Sequence, residues 1–226
     1  MVTEEKCCFK IPDAMTYLEG GLVECCSVAY YAVHGRGGCV AATAGWVVFG
    51  GGPIGQFAAL SCKAAGARVI MVEPVAFRRE LAQCVVHVDA VVDPKKEDVE
   101  AAVMRVTGGK GASLIVECTG SDQAVAATVD IARAHARIRF IGHSIGRKIP
   151  MEIGKAIWKG LNLQGSAGQP WFFPKTIEFL SRVKDRFDYT GIVTHTFGFA
   201  DIQKAFDTAA EQKEKAVKVM VAVVDD

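Results

Sequence analysis

The 226-residue sequence has no excess of charge: 26 Lys and Arg stand against 25 Asp and Glu, for a net charge of +1. The two signs are mixed along the chain, which argues against nucleic acid or an anionic membrane as the main partner. There is no apolar run long enough to span a bilayer. VKVMVAVV (Val217–Val224), one of the longest, is broken by Lys218. The opening residues, MVTEEKCC, lack the apolar segment of a secretory signal. Eight cysteines are present (Cys7, Cys8, Cys25, Cys26, Cys39, Cys62, Cys84 and Cys118), yet none forms a Cys-x-x-Cys pair. The neighbours Cys7–Cys8 and Cys25–Cys26 have the wrong spacing for a structural zinc knuckle. Together these absences predict a cytoplasmic protein with reduced thiols, in which Cys62 and Cys118 act as small buried hydrophobes. Internal repeats and low-complexity tracts are also missing.

What the sequence does have is alternation. Half of it is apolar, enough for a sizeable core. Thr16–Glu19 has the spacing of a capping box. Apolar residues recur at helical spacing from Leu22 to His34, and Gly35, Gly37 and Gly38 end that helix. Strand signals then fall at Trp46–Phe49, Ala67–Glu73, Ala90–Val92, Ser113–Glu117, Arg137–Gly142 and Leu161–Gln164. Helix signals separate them at Ile54–Ala65, Ala76–Cys84, Glu97–Val106, Asp122–Ala134 and Glu152–Lys159. Several of these strands are Val/Ile-rich and nearly continuous in apolarity, as strands covered on both faces are. The pattern predicts an α/β protein: a Rossmann-type, doubly wound, six-stranded parallel sheet with helices on both faces. The tail differs. After QPWFFP come an amphipathic helix at Thr176–Val183, a strand at Ile192–Phe199, a helix at Ile202–Ala210 capped by Asp201, and a strand at Ala216–Val223. Two strands this apolar need a sheet to join, and the six-stranded sheet is already complete.

The chemistry-bearing stretch is VFGGGPIG. Gly50-Gly51-Gly52-Pro53-Ile54-Gly55 fits G-x-G-x-x-G between a strand and a helix. Gly50 permits the tight turn, Gly52 leaves room for a pyrophosphate against the backbone, and Gly55 lets the helix pack close. The helix N-terminus offers free N–H groups, and Pro53 sits where a helix tolerates proline. A ligand-free glycine turn has the same local pattern. Glu73, about 20 residues beyond at the end of the second strand, is where a carboxylate hydrogen-bonds an adenosine ribose. A carboxylate there repels a 2′-phosphate, so NAD is expected over NADP, although Arg78 could partly offset that. Cys118-Thr119-Gly120 and Gly142-His143-Ser144 close two further strands on the same crevice. Taken singly, each reads better as an ordinary strand-to-helix turn. His143 is a candidate proton-transfer group, with no acid or base partner beside it in sequence.

VFGGGPIG, VECTG, LVECCSVAYYAV and the closing KAVKVMV resemble the zinc-dependent medium-chain alcohol dehydrogenases, and most of all the polyol branch (sorbitol, xylitol, threonine and cyclitol dehydrogenases). The resemblance runs from about Phe9 to the end. It implies NAD-dependent interconversion of a secondary alcohol or polyol and its ketone, with a catalytic zinc that polarises the alcohol oxygen. It implies cofactor contacts at Gly50, Gly52, Pro53, Ile54, Gly55, Glu73, Arg78, Cys118, Thr119, Ile141, Gly142 and His143, with Ser166 and Ala167 near the nicotinamide. Glu24 matches a glutamate beside the catalytic zinc. The sixth strand pairs with its twin in the family, which implies a dimer or tetramer. The implied organisation is a remnant and linker helix of the catalytic domain (1–34), the dinucleotide-binding domain (35–168), and a C-terminal segment that completes the catalytic domain (169–226).

The departures from the family are specific. The catalytic domain that supplies a cysteine and a His-Glu pair to the catalytic zinc has no counterpart in this sequence, and one glutamate falls short of the usual three protein ligands. Without that domain the two tail strands are expected to stand as orphan edges. His87 and His135 occupy positions where the family turns on glycine, and Cys25 replaces a proline. If those turns require positive φ, each histidine costs about 1 kcal/mol. Two functional readings follow: the NAD-binding portion of a zinc-type dehydrogenase, or a non-catalytic NAD(H)-binding remnant or sensor. A methyltransferase of related topology is a third, disfavoured by the Pro-Ile-Gly helix start and by Glu73 and Arg78.

Overall fold

The computed structural model describes residues 4–35, 45–142, 145–168, 170–212 and 214–223. The chain opens with the helices α1 (Tyr17–Gly20) and α2 (Val23–His34). Thr16 and Glu19 form the expected capping box on α1. The alternating region runs β1 (Gly45–Phe49), α3 (Pro53–Ala64), β2 (Arg68–Val72), α4 (Ala76–Leu81), β3 (Ala90–Val92), α5 (Val99–Thr107), β4 (Ala112–Glu117), α6 (Asp122–Ile131), β5 (Ala132–Phe140), α7 (Ile153–Trp158) and β6 (Asn162–Gly165). These strands form one parallel sheet in the order β3-β2-β1-β4-β5-β6. The order reverses at β1, so a crevice opens at the carboxyl ends of β1 and β4.

The two faces of the sheet bury alternate residues of each strand. Trp46, Val48, Val69, Met71, Leu114 and Val116 pack with α2 and α3 on one side. Val47, Phe49, Ile70, Val72, Ile115 and Ile138 pack with α5, α6 and α7 on the other. Each such side chain, fully covered, contributes roughly 1.5–3 kcal/mol relative to exposure. The amphipathic helix α8 (Phe173–Val183) lays Ile177, Leu180 and Val183 into the first of these cores. Tyr189, 170 residues from Glu19, donates its hydroxyl to the Glu19 carboxylate at 3.2 Å and ties the tail to α1.

The structure departs from the sequence expectations at several places, of which three bear on the ends of the fold's elements and its tail. Helix α6 ends at Ile131, where a helix to Ala134 was expected, and β5 begins at once. The Lys159 ammonium donates to the carbonyls of Val129, Asp130 and Ala132 at 2.8 Å each, closing the helix end from another part of the chain. Asp201 does not cap α9 (Ile202–Glu211), because its carboxylate accepts from Lys204 instead. The tail strands β7 (Val193–Gly198) and β8 (Lys218–Ala222) are not orphans. They pair with each other in parallel across α9, which satisfies one edge of each.

Candidate functional site

The turn after β1 has the geometry its glycines require. Gly50 has φ +94, and a Cβ there would lie 2.8 Å from the Thr119 methyl. A Cβ on Gly55 would lie 1.8 Å from the carbonyl oxygen of Gly50, so the helix packs against the turn at a distance only glycine allows. A Cβ on Gly52 would meet nothing within 4 Å, which leaves open space beside the backbone. Gly52 is the N-cap of α3, no side chain caps it, and Pro53 fills the first turn. The first-turn N–H groups, Ile54 among them, are therefore left to an incoming acceptor.

Glu73 follows the last residue of β2 and is buried. Its Oε2 accepts the Gly51 N–H at 2.5 Å and its Oε1 the Val75 N–H at 2.8 Å. These two bonds fix the carboxylate at the rim of the glycine turn and leave lone pairs for a further donor. Arg78 stands on α4 beside it. Its Nη2 donates to the Ala216 carbonyl at 3.3 Å, and its Nε is buried without a hydrogen-bond partner. Arg79 is committed elsewhere, to the Glu73 carbonyl at 2.6 Å and to Asp93 at 3.0 Å.

The neighbouring strand ends reach the same crevice. Cys118 donates its N–H to the Phe49 carbonyl, which pins the β4 exit to the glycine turn. Burial, together with the charge of Glu117, pushes the Cys118 thiol up from its ordinary range. Ile141 and Gly142 both donate N–H to the Glu117 carbonyl, and a Cβ on Gly142 would lie 2.0 Å from the Gly120 nitrogen. Ser166 is buried after β6, with its Oγ unpartnered, and Ala167 beside it is exposed. His143 lies outside the described residues. The structure therefore brings Gly50, Gly52, Pro53, Ile54, Gly55, Glu73, Arg78, Cys118 and Thr119 around one turn, with Ile141 and Gly142 on the adjoining strand end.

Two residues that sequence reasoning passed over organise this crevice. Glu117 is fully buried, and its carboxylate accepts the N–H groups of Thr119 (2.7 Å) and Gly120 (3.1 Å) and the Thr119 hydroxyl. Gln56, also fully buried, donates its amide to the carbonyls of Gly51 and Arg78. A charged residue ending an apolar strand was a readable signal for Glu117. A glutamine inside an apolar helix start was a fainter one for Gln56.

The residues fit a dinucleotide: a helix N-terminus with open space beside it, a pre-oriented carboxylate, and unpartnered donors on Arg78 and Ser166. They do not fit a zinc ion. Glu24 is exposed on α2, and among the described residues no three His, Cys, Asp or Glu side chains converge to hold a metal. No described helix is long and apolar enough to cross a membrane.

Comparison with known proteins agrees with this geometry. The family model described as "Zinc-binding dehydrogenase" matches residues 53–184. The chain is 35% identical over 202 residues to scyllo-inosose 3-dehydrogenase of Thermotoga maritima, covering 82% of this chain and 48% of that protein. It is 26% identical over 216 residues to mouse sorbitol dehydrogenase, covering 95% and 58%. The solved structure of 2R,3R-butanediol dehydrogenase from Bacillus subtilis superposes with a TM-score of 0.83 at 28% identity, covering 96% of this chain and 60% of that one. The chain thus spans about half the length of the curated relatives it matches. With the doubly wound sheet, the glycine turn and a family match over most of the domain, this chain belongs to the zinc-binding dehydrogenase family, the zinc-type medium-chain alcohol and polyol dehydrogenases.

Proposed function

We propose that this chain binds NAD(H) in the crevice at the carboxyl ends of β1 and β4, and that it is the cofactor-binding portion of a dehydrogenase moving hydride between a secondary alcohol or polyol and NAD. The observation that carries the reading is the Gly51–Glu73 contact. It places a fixed carboxylate beside the glycine turn, where it can accept from both ribose hydroxyls and repel a 2′-phosphate. The pyrophosphate sits on the N-terminus of α3, Arg78 is the cation at the adenosine end, and Ser166 and Ala167 approach the nicotinamide. The polyol class follows the names of the relatives, scyllo-inosose 3-dehydrogenase and sorbitol dehydrogenase. Assembly as a cytoplasmic dimer or tetramer is part of the same reading. Its support is the edge strand β6 with exposed Leu163, next to exposed Ile157 and Trp158. The catalytic zinc has no ligand set among the described residues, so no chemical step is assigned to this chain alone.

A second reading, a non-catalytic NAD(H) sensor, is favoured by the lone, exposed position of Glu24. One experiment addresses both. NADH and NADPH are titrated into the chain by fluorescence, followed by turnover assays with zinc, NAD and a polyol panel. The first reading expects saturable NADH binding, at least tenfold tighter than NADPH, and no turnover by the isolated chain. No binding at millimolar NADH would defeat both readings. Clear turnover would overturn the claim that the zinc chemistry lies outside the described residues.

A further inference from the structure

We propose that Gln56 is the positioning residue of the adenosine half of the site, and that the preference for NADH over NADPH runs through it. The inference rests on the NAD-binding reading above and deepens it. Gln56 lies on the first turns of α3 and is fully buried. Its Nε2 donates to the Gly51 carbonyl at 3.1 Å and to the Arg78 carbonyl at 3.0 Å. One amide nitrogen carries two hydrogens, which this pair of carbonyls requires. An apolar side chain would leave the Gly51 carbonyl unpaired in a buried place, and a carboxylate would face two carbonyls with no donor.

Gly51 is thereby held on both sides of its Cα, through the Gly50–Gly51 peptide N–H and the Gly51–Gly52 peptide carbonyl. Gln56 takes its oxygen, and Glu73 Oε2 takes its N–H at 2.5 Å. The carboxylate that discriminates between cofactors binds one peptide of Gly51, and Gln56 holds the adjoining peptide, which limits rotation about the Gly51 Cα between them. The second bond ties α3 to α4 at Arg78, so the glycine turn, the carboxylate and the adenosine-side cation move as one unit. Gln56 also carries a cost. Its Oε1 is buried with no partner. A leucine would remove that acceptor but would leave the Gly51 and Arg78 carbonyls without their donor, so the amide serves the geometry of the turn. Gln56 touches no reacting atom; it acts through Gly51 and Glu73.

The test compares wild type, Q56L and Q56M, each alone and combined with Glu73→Gln, by NADH and NADPH titration alongside the thermal midpoint. Q56L and Q56M remove both donors at similar volume, so that either can be read if the other misfolds. With Gln56 removed, NADH binding is expected to weaken about tenfold while NADPH changes less than about threefold, which narrows the discrimination. In the Glu73→Gln background the same substitution is expected to change NADH binding less than about twofold, because its route is already cut. Equal losses for NADH and NADPH, additive effects with Glu73→Gln, or unchanged NADH binding in a folded variant would each overturn the proposal. Failure of wild type to bind either cofactor would instead defeat the NAD-binding reading itself.

Discussion

His87 and His135 are the two non-glycine residues with positive φ among the described residues, at +60° and +58°. A side chain in this left-handed region crowds its own backbone and costs roughly 1–2 kcal/mol. Both side chains are exposed, so replacing them removes little packing. At His87 the substitution mainly takes away the ring that faces Phe187, with centroids 6.0 Å apart. Glycine relieves the strain but loses about 0.5–1 kcal/mol more chain entropy on folding. The net gain is about 0.5–1 kcal/mol at each site. His87 precedes β3 and His135 lies in β5, four strand positions apart, or about 19 Å at ordinary strand spacing. At that separation the effects add. The double variant H87G/H135G is therefore expected to gain about 1–2 kcal/mol, a rise in Tm of about 2–8 °C for a chain of this size. Urea unfolding at unchanged m-value measures the free energy, and a thermal scan gives the shift. H87A and H135A keep the Cβ, and with it the strain, so they are expected to gain nothing. Glycine variants no more stable than these alanine controls would refute the reasoning.

Two further outcomes follow. Gly55→Ala puts a methyl 1.8 Å from the Gly50 carbonyl oxygen and must open the turn; it is expected to weaken NADH binding at least about tenfold and to lower Tm, measured by titration and thermal scan. Burial pushes the Glu19 carboxyl up, but donors from Thr16 and Tyr189, with the Lys184 charge, outweigh it and hold it below its ordinary value of 4.5. A depressed carboxyl stabilises the fold fully above its unfolded pKa, and the contribution is lost as pH falls through the folded value. Removing the hydroxyl donor in Y189F raises the folded value, so acid unfolding followed by circular dichroism is expected to begin at higher pH; an unchanged acid limb would count against this network.

The fold class was legible in the sequence because Val/Ile-rich strands alternating with helices leave few other ways to bury both sheet faces. The glycine turn was legible for a related reason: Gly50 and Gly55 answer local steric demands that no other residue meets. The site's wiring was not. The Glu73 carboxylate binds the Gly51 N–H, Gln56 binds Arg78, and Lys159 closes α6 across 27 to 30 residues. Such bonds depend on where distant backbone groups arrive, and a sequence pattern carries no signal of that. The tail illustrates the same division. Ile192–Phe199 and Ala216–Val223 read as strands in need of a partner, and β7 and β8 found each other because α9 returns the chain in parallel beside itself. Local sterics and hydrophobic periodicity are written residue by residue, so the sequence alone determined the sheet, the glycine turn and the carboxylate at its rim. Hydrogen bonding between separated segments exists only once the chain has packed, so the tertiary structure alone decided how that carboxylate is held and which strands pair.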